Sequence, residues 1–364
     1  MSTTQVEPLR CVERTTNLVT EGTLVAPVGF RAVKTKRVLV TGGAGFIPSN
    51  FVRHILAATP HEVVSLDALT YAGSMDNLAS VSGHERHSFV HGDIRDPDLV
   101  RQVVAEVDVI VNAAAESHVE KSIESGASEF VTTNVEGTQI LLDAIRETPV
   151  ERFILFSSSE VYGTALYEPM DEEHPLNPRS PYAATKAGAD RLAYSYHVTY
   201  GLPIVIVRPF NNYGPSQHPE KVIPRFITQA LADEPLTIHG DGHASRDWLY
   251  VDDDAEAIET IIAADDRIVG EVINVATGID ISVSDIADKV LELLGKPSSL
   301  KVHVDERPGQ VDRHIGSTEK AEKLLGWKAR TSFEDGLERT ISWYRDNEAW
   351  WRSPERRPAD VFSS

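Results

Sequence analysis

The sequence contains very little cysteine, since Cys11 is the one cysteine among its 364 residues. A single cysteine excludes a disulfide bond within the chain and a zinc site built from several cysteine ligands. Uncharged apolar runs are also short, and none approaches the roughly 18 residues that a membrane-spanning helix needs. The N-terminus lacks the apolar core of a secretory signal peptide. We therefore expect a soluble, cytoplasmic protein that neither crosses nor binds a membrane.

Positive charge is scarce as well. Lys and Arg together number 35 against 55 Asp and Glu, which gives a formal net charge of −20 at pH 7. A chain this acidic is a poor candidate for non-specific binding to nucleic acids or to anionic membranes. If the ligand is itself an anion, local Lys and Arg side chains must hold it against the field of the whole protein.

Short apolar runs alternate with helical stretches over the first 210 residues. The predicted strands are 37–41, 62–67, 88–94, 107–115 and 153–156. Helices are predicted from a glycine-rich turn to about residue 58, over 129–147, and from Ser180 onward. This alternation indicates βαβ units, so the expected fold class is α/β with a Rossmann-type, doubly wound parallel sheet.

After about residue 211 the elements become shorter and prolines interrupt the chain more often. Strands are predicted at 272–276 and 301–304, with helices at 284–294, 318–325 and 333–347. We interpret this part as a smaller C-terminal α/β substrate-binding lobe, interleaved with the first domain. The predicted divisions are an N-terminal extension (1–33), an NAD-binding Rossmann domain (34–210), a mainly substrate-binding lobe (211–352) and a C-terminal tail (353–364).

A glycine-rich turn follows the first predicted strand. Gly42 and Gly45 let the backbone approach a pyrophosphate, and the helix that follows offers unpaired N–H groups and positive potential. Pro48 takes the place of the usual third glycine, and proline is tolerated in the first turn of a helix. Asp67 ends the next strand, where a carboxylate can accept hydrogen bonds from an adenosine ribose. This pairing predicts NAD rather than NADP, with Asp93 at the adenine edge.

The candidate catalytic residues lie in the stretch 157–186. Three polar residues follow a buried strand, at the edge where open α/β sheets bind ligands: Ser158, Ser159 and Glu160. Tyr182 and Lys186 stand four positions apart, on one face of a predicted helix. A lysine ammonium near a phenol should lower the phenol pKa. The phenolate can then take a proton from a sugar hydroxyl while a hydride leaves the same carbon.

Several unusual motifs occur in an order that resembles the extended short-chain dehydrogenase/reductase family of nucleotide-sugar enzymes, in particular the dTDP-glucose 4,6-dehydratases. The likeness runs from about Lys36 to Trp351. The motifs are Thr41-Gly42-Gly43-Ala44-Gly45-Phe46-Ile47, Leu69-Thr70-Tyr71-Ala72-Gly73, Gly92-Asp93-Ile94, Ala114-Ala115-Glu116-Ser117-His118-Val119, Tyr182-x3-Lys186, Asn211-Asn212-Tyr213-Gly214-Pro215 and Arg307-Pro308-Gly309. The resemblance implies bound NAD, a nucleoside-diphosphate sugar substrate and a homodimer built from the helix after the fourth strand and the Tyr182 helix.

The resemblance also implies which residues bind the cofactor and the substrate, and no metal site is expected. The implied cofactor contacts are Gly42, Gly45, Phe46, Ile47, Asp67, Asp93, Ile94, Ala113, Ala115, Asn134, Ser157, Tyr182 and Lys186. The implied substrate contacts are Ser117, His118, Asn212, Lys221, Arg246, Asn274, Arg307 and Arg313.

The residues after the fifth predicted strand depart from the dehydratase pattern. Dehydratases carry Thr-Asp-Glu where this chain has Ser158-Ser159-Glu160. In them the Asp protonates the departing 6-hydroxyl while the Glu takes the C5 proton, and a serine is a poor acid in that place. A Ser-Glu pair is similar to UDP-glucuronate decarboxylases, although it also occurs in GDP-mannose 4,6-dehydratases.

Decarboxylation does not need the missing acid. Oxidation at C4 places a ketone β to a C6 carboxylate, so loss of CO2 requires only a site that stabilises the enolate. The main prediction is therefore a UDP-glucuronate decarboxylase on a dehydratase-like scaffold, giving UDP-4-keto-pentose or UDP-xylose.

Three other functions stay open at this point. The alternative is a dTDP- or other NDP-glucose 4,6-dehydratase that uses Ser159 or a water as the acid. A 4-epimerase is less favoured, because such enzymes usually lack the Glu. A catalytically silent NAD-binding protein is disfavoured by the joint presence of Ser158, Glu160, Tyr182 and Lys186.

Overall fold

The structure is a computed structural model that describes residues 34–305, 312–353 and 356. The predicted extension 1–33, the predicted substrate residue Arg307 and most of the predicted tail therefore lie outside the described residues. Among those that are described, no helix is long and apolar enough to cross a membrane.

The described strands and helices follow the order expected for an α/β fold. The strands are β1 (Arg37–Thr41), β2 (Glu62–Asp67), β3 (His87–His91), β4 (Val109–Asn112), β5 (Arg152–Phe156), β6 (Ile204–Pro209), β7 (Asn211–Tyr213), β8 (Leu236–His239), β9 (Ser245–Tyr250), β10 (Val272–Val275), β11 (Asp280–Ser282), β12 (Lys301–Val304) and β13 (Arg313–His314). The α-helices are α1 (Phe46–Ala58), α2 (Pro97–Val104), α3 (Val119–Glu124), α4 (Ser128–Phe130), α5 (Gly137–Glu147), α6 (Pro181–Tyr200), α7 (Val222–Leu231), α8 (Val251–Ala263), α9 (Val283–Leu294), α10 (Glu319–Leu325), α11 (Phe333–Asp346) and α12 (Glu348–Trp351).

Seven parallel strands form the central sheet, in the order β10-β6-β5-β4-β1-β2-β3. The predicted doubly wound α/β class is thus confirmed. Successive side chains of a strand point to opposite faces, and both faces of this sheet are covered. Val38 and Val40 pack with α1 and α8 on one side, while Leu39 packs with α2 and α5 on the other. This explains why the strands are almost continuously apolar.

Helix α6, which carries Tyr182, begins and ends where its sequence indicates. The Ser180 hydroxyl accepts the N–H of Ala183, and Pro181 occupies the first turn, where its missing N–H costs little. The helix stops at Gly201, whose φ of 66° places it in the left-handed region that glycine adopts readily. These local signals fix the direction in which the Tyr182 face meets the sheet.

Three predicted elements differ from the structure. Strand β3 ends at His91 rather than residue 94, because Asp96 starts α2 by accepting the N–H groups of Asp98 and Leu99. Strand β4 is shorter than the predicted 107–115, and the residues after it form a loop at the sheet edge. The predicted helix 129–147 contains a π-helical segment, Val131–Glu136, which joins α4 to α5.

The last third of the chain adds one strand to the central sheet and also helps to form two smaller sheets. Strand β10 pairs with β6 as the seventh strand of the central sheet, with Val272 opposite Ile206. The remaining strands form a four-stranded sheet from β7, β9, β11 and β13, and a two-stranded sheet from β8 and β12. Helices α7, α9 and α11 enclose a separate apolar cluster with them. This interleaving agrees with the predicted arrangement, while the domain boundaries themselves stay a prediction.

Candidate active site at the carboxyl ends of the strands

The glycine turn after β1 is packed too tightly for side chains. Gly42 has a φ of +69°, and a Cβ there would lie 2.8 Å from Cα of Ala114. A Cβ on Gly43 would lie 2.6 Å from Cβ of Ser65. Gly45 caps α1 without a side chain, so Phe46 and Ile47 start the helix with no side-chain cap on their N–H groups. The turn therefore fits a pyrophosphate approaching the helix start.

The peptide of Ala44 in this turn is held at both ends. Its N–H donates to Oδ2 of Asp67 at 2.9 Å. Its carbonyl accepts the N–H of Ser74 at 3.1 Å and Nδ2 of Asn77 at 2.8 Å. Sequence reasoning missed Ser74 and Asn77, because nothing in the spacing shows that the segment after Gly73 folds back on the turn. The turn is thus built before any ligand arrives.

Asp67 lies where a ribose-binding carboxylate is predicted. Its side chain is buried, Oδ1 accepts the N–H of Leu69 at 2.7 Å, and burial raises the carboxyl pKa. A Cβ on Gly73 would lie 2.5 Å from Oδ1, so only glycine fits this close to the carboxylate. Each oxygen retains lone pairs for further hydrogen bonds. The geometry therefore fits the predicted role of Asp67.

Asp93 is engaged differently from the prediction. Its carboxylate pairs with Nε and Nη2 of Arg95, and it also accepts the backbone N–H of Arg95 at 2.8 Å. These bonds lower the Asp93 pKa although burial opposes the shift. Ile94 is buried against Gly137, where a Cβ would lie 2.5 Å from Cδ1 of Ile94. Contacts of Asp93 and Ile94 with a cofactor stay predictions.

The side-chain amide of Asn134 forms hydrogen bonds with the loop after β4, which carries Ala113 and Ala115. Its Oδ1 accepts the N–H of Glu116 at 2.9 Å. Its Nδ2 donates to the Glu116 carbonyl at 3.1 Å and to Oγ1 of Thr185 at 2.9 Å. The amide therefore joins this loop to the helix that carries Tyr182. The structure gives Asn134 a positioning role, and its predicted cofactor contact is untested.

Ser158, Glu160 and Tyr182 meet beyond the end of β5. Ser158 begins a short 3₁₀ turn, Ser159–Tyr162, by accepting the N–H of Glu160 at 3.2 Å. Ser158 lowers and the charge of Glu160 raises the pKa of the Tyr182 phenol, so both residues lie close to it. Ser159 is only 2% exposed, so the neighbouring residues form the exposed surface of the turn. The three residues bring a hydroxyl, a carboxylate and a phenol together.

The predicted effect of Lys186 on Tyr182 is wrong for the protein alone. Burial raises the pKa of Tyr182 to about 12, and the hydrogen bond with Ser158 only partly offsets it. Burial lowers the pKa of Lys186 to about 8, against the charge of Asp190. Nζ of Lys186 donates to the carbonyl of Phe156. The lysine is thus bonded to the strand end and is not among the groups that shift the pKa of the phenol.

A buried ion pair that the sequence reasoning missed supports this region. Asp190 and Arg208 are 0% and 2% exposed, and Nε of Arg208 lies 2.9 Å from Oδ2 of Asp190. The Ser157 hydroxyl donates to the same oxygen at 2.7 Å. Ser157 therefore contributes through Asp190, and its predicted cofactor contact is untested. The spacing Lys186-x3-Asp190 on one helix face was the available signal.

Three predicted substrate residues already have hydrogen-bond partners within the chain, and of these Asn274 is buried while Arg313 is exposed. Asn274 is fully buried, accepting the Tyr162 hydroxyl at 2.7 Å and donating to the Met170 carbonyl at 3.0 Å. Arg313 pairs with both oxygens of Asp280, at 2.8 and 2.9 Å, and with Glu168. Arg246 donates to the Ser245 carbonyl at 2.8 Å. Direct contact of Asn274 with a ligand would require it to leave those bonds.

Asn212 and Lys221 offer more to a ligand. Oδ1 of Asn212 and Oδ1 of Asn211 are both buried, and neither has a hydrogen-bond partner among the described residues. An unpaired buried acceptor costs free energy that an incoming donor recovers. Lys221 stands at the start of α7 with its ammonium partly exposed, where helix potential favours an anion. Here the structure brings predicted binding residues to one edge.

Ser117 and His118 follow β4 on the same side of the site. The Ser117 hydroxyl lies 3.4 Å from the Tyr71 hydroxyl. His118 caps α3, and its Nε2 lies 3.0 Å from Oε2 of Glu220. Glu220 precedes Lys221, so this contact joins the loop after β4 to the predicted diphosphate-binding segment. Nothing in the motifs or their spacing indicates that Glu220 takes part.

Comparison with known proteins agrees with this geometry. A family model described as GDP-mannose 4,6 dehydratase matches residues 39–340. A low-salt glycan biosynthesis protein from Haloferax volcanii is 50% identical over 84% of this chain and 98% of its own length. A dTDP-glucose 4,6-dehydratase from Streptomyces niveus is 44% identical over 90% of this chain and 98% of its own length.

A solved structure is similar over the same range. It is a double mutant of a dTDP-glucose 4,6-dehydratase from Streptomyces venezuelae with NAD bound, and its TM-score to this chain is 0.83. The identity is 45%, and the match covers 86% of this chain and 98% of that one. These matches agree with the glycine turn, the Tyr182–Lys186 helix and the seven-stranded sheet. The chain therefore belongs to the GDP-mannose 4,6-dehydratase family, which is part of the extended short-chain dehydrogenase/reductase enzymes that act on nucleotide sugars.

Proposed function

We propose that this protein is an NAD-dependent 4,6-dehydratase of a nucleoside-diphosphate glucose, with dTDP-glucose as the first substrate to test. The observation that carries the proposal is the meeting of Ser158, Glu160 and Tyr182 beyond β5, where the carboxylate acts on the phenol. A base for the C4 hydroxyl thus stands beside a base for the neighbouring C5 proton. The dehydratase relatives, similar over nearly their whole length, support the same reaction.

The first step oxidises C4 of the sugar. Tyr182 takes the proton of the C4 hydroxyl, and the Ser158 hydroxyl holds the phenolic oxygen in place. Bound NAD supplies the hydride acceptor for C4 and the hydride that later reduces C6, and its positive charge favours the phenolate. Lys186 donates to the end of β5 and fixes the distance between strand and helix.

The second step removes water from C5 and C6. The Glu160 carboxylate takes the C5 proton, which the C4 ketone has made acidic, while the C6–O6 bond breaks. The same carboxyl group can then hand that proton to the departing oxygen, so one residue balances the proton that the step removes and the one that it needs. This explains how elimination can proceed although Ser159 replaces the aspartate found in other dehydratases.

The decarboxylase prediction rested on the Ser159–Glu160 pair, which replaces the Asp-Glu of the dehydratases. Ser159 is almost completely buried, so its side chain says little about the chemistry above the turn. The relatives favour the alternative, dehydration, over decarboxylation. We accordingly propose that Ser159 shapes the turn and that Glu160 carries the proton.

Substrate and subunit contacts are part of the proposal. Lys221, Arg246 and Asn212 would hold the nucleoside diphosphate, and Ser117 would face the sugar side of the loop after β4. Helix α6 presents exposed apolar side chains away from the sheet, at Tyr194, Val198 and Tyr200. Such a patch suits a second copy of the same helix, and light scattering should then report a homodimer that Val198→Glu weakens.

The deciding experiment compares products. The purified protein with added NAD is incubated separately with dTDP-glucose, UDP-glucose and UDP-glucuronate, and the masses of the products are measured by mass spectrometry. We expect loss of water from an NDP-glucose and, in D2O, deuterium at C5. Release of CO2 from UDP-glucuronate with no loss of water from any NDP-glucose would overturn the proposal.

Two variants separate the roles of the neighbouring residues. Glu160→Gln should lower dehydration by about 10²–10⁴-fold, while C4 oxidation still produces a transient of reduced cofactor. Ser159→Ala serves as the matched control and should stay within about tenfold of wild type. A collapse of dehydration in Ser159→Ala would instead identify the serine as the acid.

A further inference from the structure

One carboxylate on the substrate side contacts three basic side chains from two separate parts of the chain. Oε2 of Glu220 lies 3.0 Å from Nε2 of His118 and 3.5 Å from Nδ1 of His218. Oε1 of Glu220 lies 3.3 Å from Nζ of Lys221. Burial would raise the Glu220 pKa, but the hydrogen bond from His118 and the charge of Lys221 lower it to about 2. Glu220 is therefore an anion at every working pH.

His118 connects this carboxylate to the loop that follows β4. Its Nδ1 lies 3.2 Å from the N–H of Lys121 and 3.3 Å from Oε2 of Glu120. The capping bond calls for a neutral imidazole, whereas Glu120 and Glu220 together raise the pKa of His118 to about 9. Two carboxylates outweigh one backbone N–H, so we take the ring as charged at pH 7. Nε2 carries a proton in either state and donates to Glu220.

Tyr71 extends the connection to the loop after β2. Its ring centre lies 6.3 Å from that of His118, and its hydroxyl lies 3.4 Å from the hydroxyl of Ser117. Nζ of Lys121 lies 5.1 Å above the same ring. Movement of His118 would therefore shift Tyr71 and Ser117, which border the predicted sugar position.

The contacts of Glu220 with Lys221 and with His118 differ in how easily a ligand replaces them. Lys221 is adjacent in sequence, and its side chain is 37% exposed, so its contact with Glu220 is of the weak, solvent-screened kind. The His118 contact is shorter, and both side chains are better buried, at 23% and 17% exposed. A diphosphate at the start of α7 would compete with Glu220 for Lys221 and leave the histidine contact intact.

We propose that Glu220 is a positioning residue that holds Lys221 until the substrate diphosphate takes it, and that ties His118 to the same segment so that diphosphate binding draws the Tyr71 and Ser117 loops onto the sugar. This inference rests on the proposed function for the identity of the ligand. It assigns Glu220 two opposed effects, since its charge repels the diphosphate while its bond to His118 organises the site for catalysis.

The opposed effects give Glu220→Gln a signature that a merely structural residue would not show. Removing a nearby negative charge should tighten binding of dTDP to the NAD-loaded protein by about threefold to tenfold, measured by calorimetry at pH 7. The loss of the charged tie should lower kcat on dTDP-glucose by about tenfold or more. The alkaline limb of the pH–rate profile should move to lower pH, because His118 loses a carboxylate partner.

Glu120→Gln is the matched control, because Glu120 faces the same imidazole from α3 and not from the diphosphate segment. It should move the alkaline limb in the same direction while leaving the dTDP dissociation constant unchanged. A second variant, His118→Gln, keeps a donor toward Glu220 and should lower kcat without tightening dTDP binding.

Weaker dTDP binding together with a lower kcat in Glu220→Gln would overturn the inference, as would no change in either quantity. Circular dichroism and melting temperature show whether each variant is folded. The binding measurement needs no turnover, so it still tests Glu220 if the protein proves not to dehydrate any NDP-glucose. Failure of the proposed function and failure of this inference are therefore distinguishable.

Discussion

On the cofactor side of the site, the buried polar groups of Asp67, Asn134 and Ser157 all bond to other groups of the chain. On the substrate side, Oδ1 of Asn212 and both carboxyl oxygens of Asp254 are buried without a partner of good geometry among the described residues. An unpaired buried polar group costs about 1–3 kcal/mol. The cofactor-side residues named here are therefore paired within the chain, although Oδ1 of Asn77 beside the glycine turn is not, whereas Asn212 on the other side keeps an acceptor that a ligand's donor can pair.

The difference follows from what each side must recognise. A pyrophosphate and a ribose present the same groups in every dinucleotide, so a fixed turn at Gly42 and a fixed carboxylate at Asp67 can be formed in advance. A sugar that changes its bonding during the reaction needs partners that are not already satisfied. Four substitutions test this contrast, in descending order of expected effect.

The largest effect should come from Tyr182, where the two sides meet. Tyr182→Phe removes the base for the C4 hydroxyl and should lower kcat by about 10²–10⁴-fold. NAD affinity should stay near the wild-type value, because the turn at Gly42 is unaltered. The measurements are steady-state dehydration and cofactor titration by fluorescence, and activity within a few-fold of wild type would remove Tyr182 from that role.

The next effect should fall on protein stability, through a buried ion pair that supports the site. Asp190→Asn leaves Arg208 buried without its counter-charge and should lower the free energy of unfolding by about 3–5 kcal/mol, measured by denaturant titration. The double change Asp190→Leu with Arg208→Met removes both charges and should recover much of that loss. A single variant as stable as wild type would contradict the assigned ion pair.

A smaller effect should distinguish the cofactor. Asp67→Asn removes the charge that accepts ribose hydroxyls, and the loss of a charged hydrogen bond of about 1.5–3 kcal/mol should weaken NAD binding about 10–100-fold. The wild type should prefer NAD to NADP, because Asp67 repels a 2′-phosphate. Titration of both nucleotides on both proteins measures this, and equal affinity of the wild type for the two would be the opposite result.

The smallest effect should come from Asp254, and here the substitution should stabilise the protein rather than destabilise it. Burial raises the pKa of Asp254 to about 7; Asn212 lies close enough to lower it only in part. The folded protein thus holds a proton that the unfolded chain releases above about pH 4. Between those values the contribution of Asp254 to stability falls as pH rises, and above pH 7 the full penalty is present.

Asp254→Asn should therefore raise the melting temperature at pH 8, by an amount equivalent to about 1 kcal/mol or more, and change it little at pH 4. Glu85→Gln, which changes an exposed carboxylate elsewhere in the chain, is the control and should not change the melting temperature at either pH. Destabilisation by Asp254→Asn at pH 8 would show that the carboxylate has a partner after all.

How far the sequence predicts the molecule depends on the range of the interactions involved. The start of helix α6 was predicted well because Ser180 and Pro181 are local signals that act within one turn of the chain. The glycine turn and Asp67 were predicted because their spacing along a βαβ unit is fixed by geometry. Glu160 and Tyr182 were placed correctly at the strand edge for the same reason.

The errors concern contacts between distant segments. The phenol pKa was predicted to fall, yet Lys186 is occupied by the Phe156 carbonyl, and burial dominates instead. Asn274 is predicted to bind the substrate; the register of β10 against β6 directs its amide to Tyr162, so a ligand contact there stays a prediction. No periodicity in the sequence reports which partner a polar side chain meets across a hundred residues.

The position of β10 bears on how the protein is made. During synthesis β6 leaves the ribosome more than 60 residues before its edge partner, β10, is available. For that interval β6, which is apolar except for Arg208, has an unpaired strand edge, the kind of surface that pairs with other chains. A chain truncated at residue 210 should therefore aggregate although it contains the whole cofactor motif, and chaperone demand should be highest just before Val275 emerges.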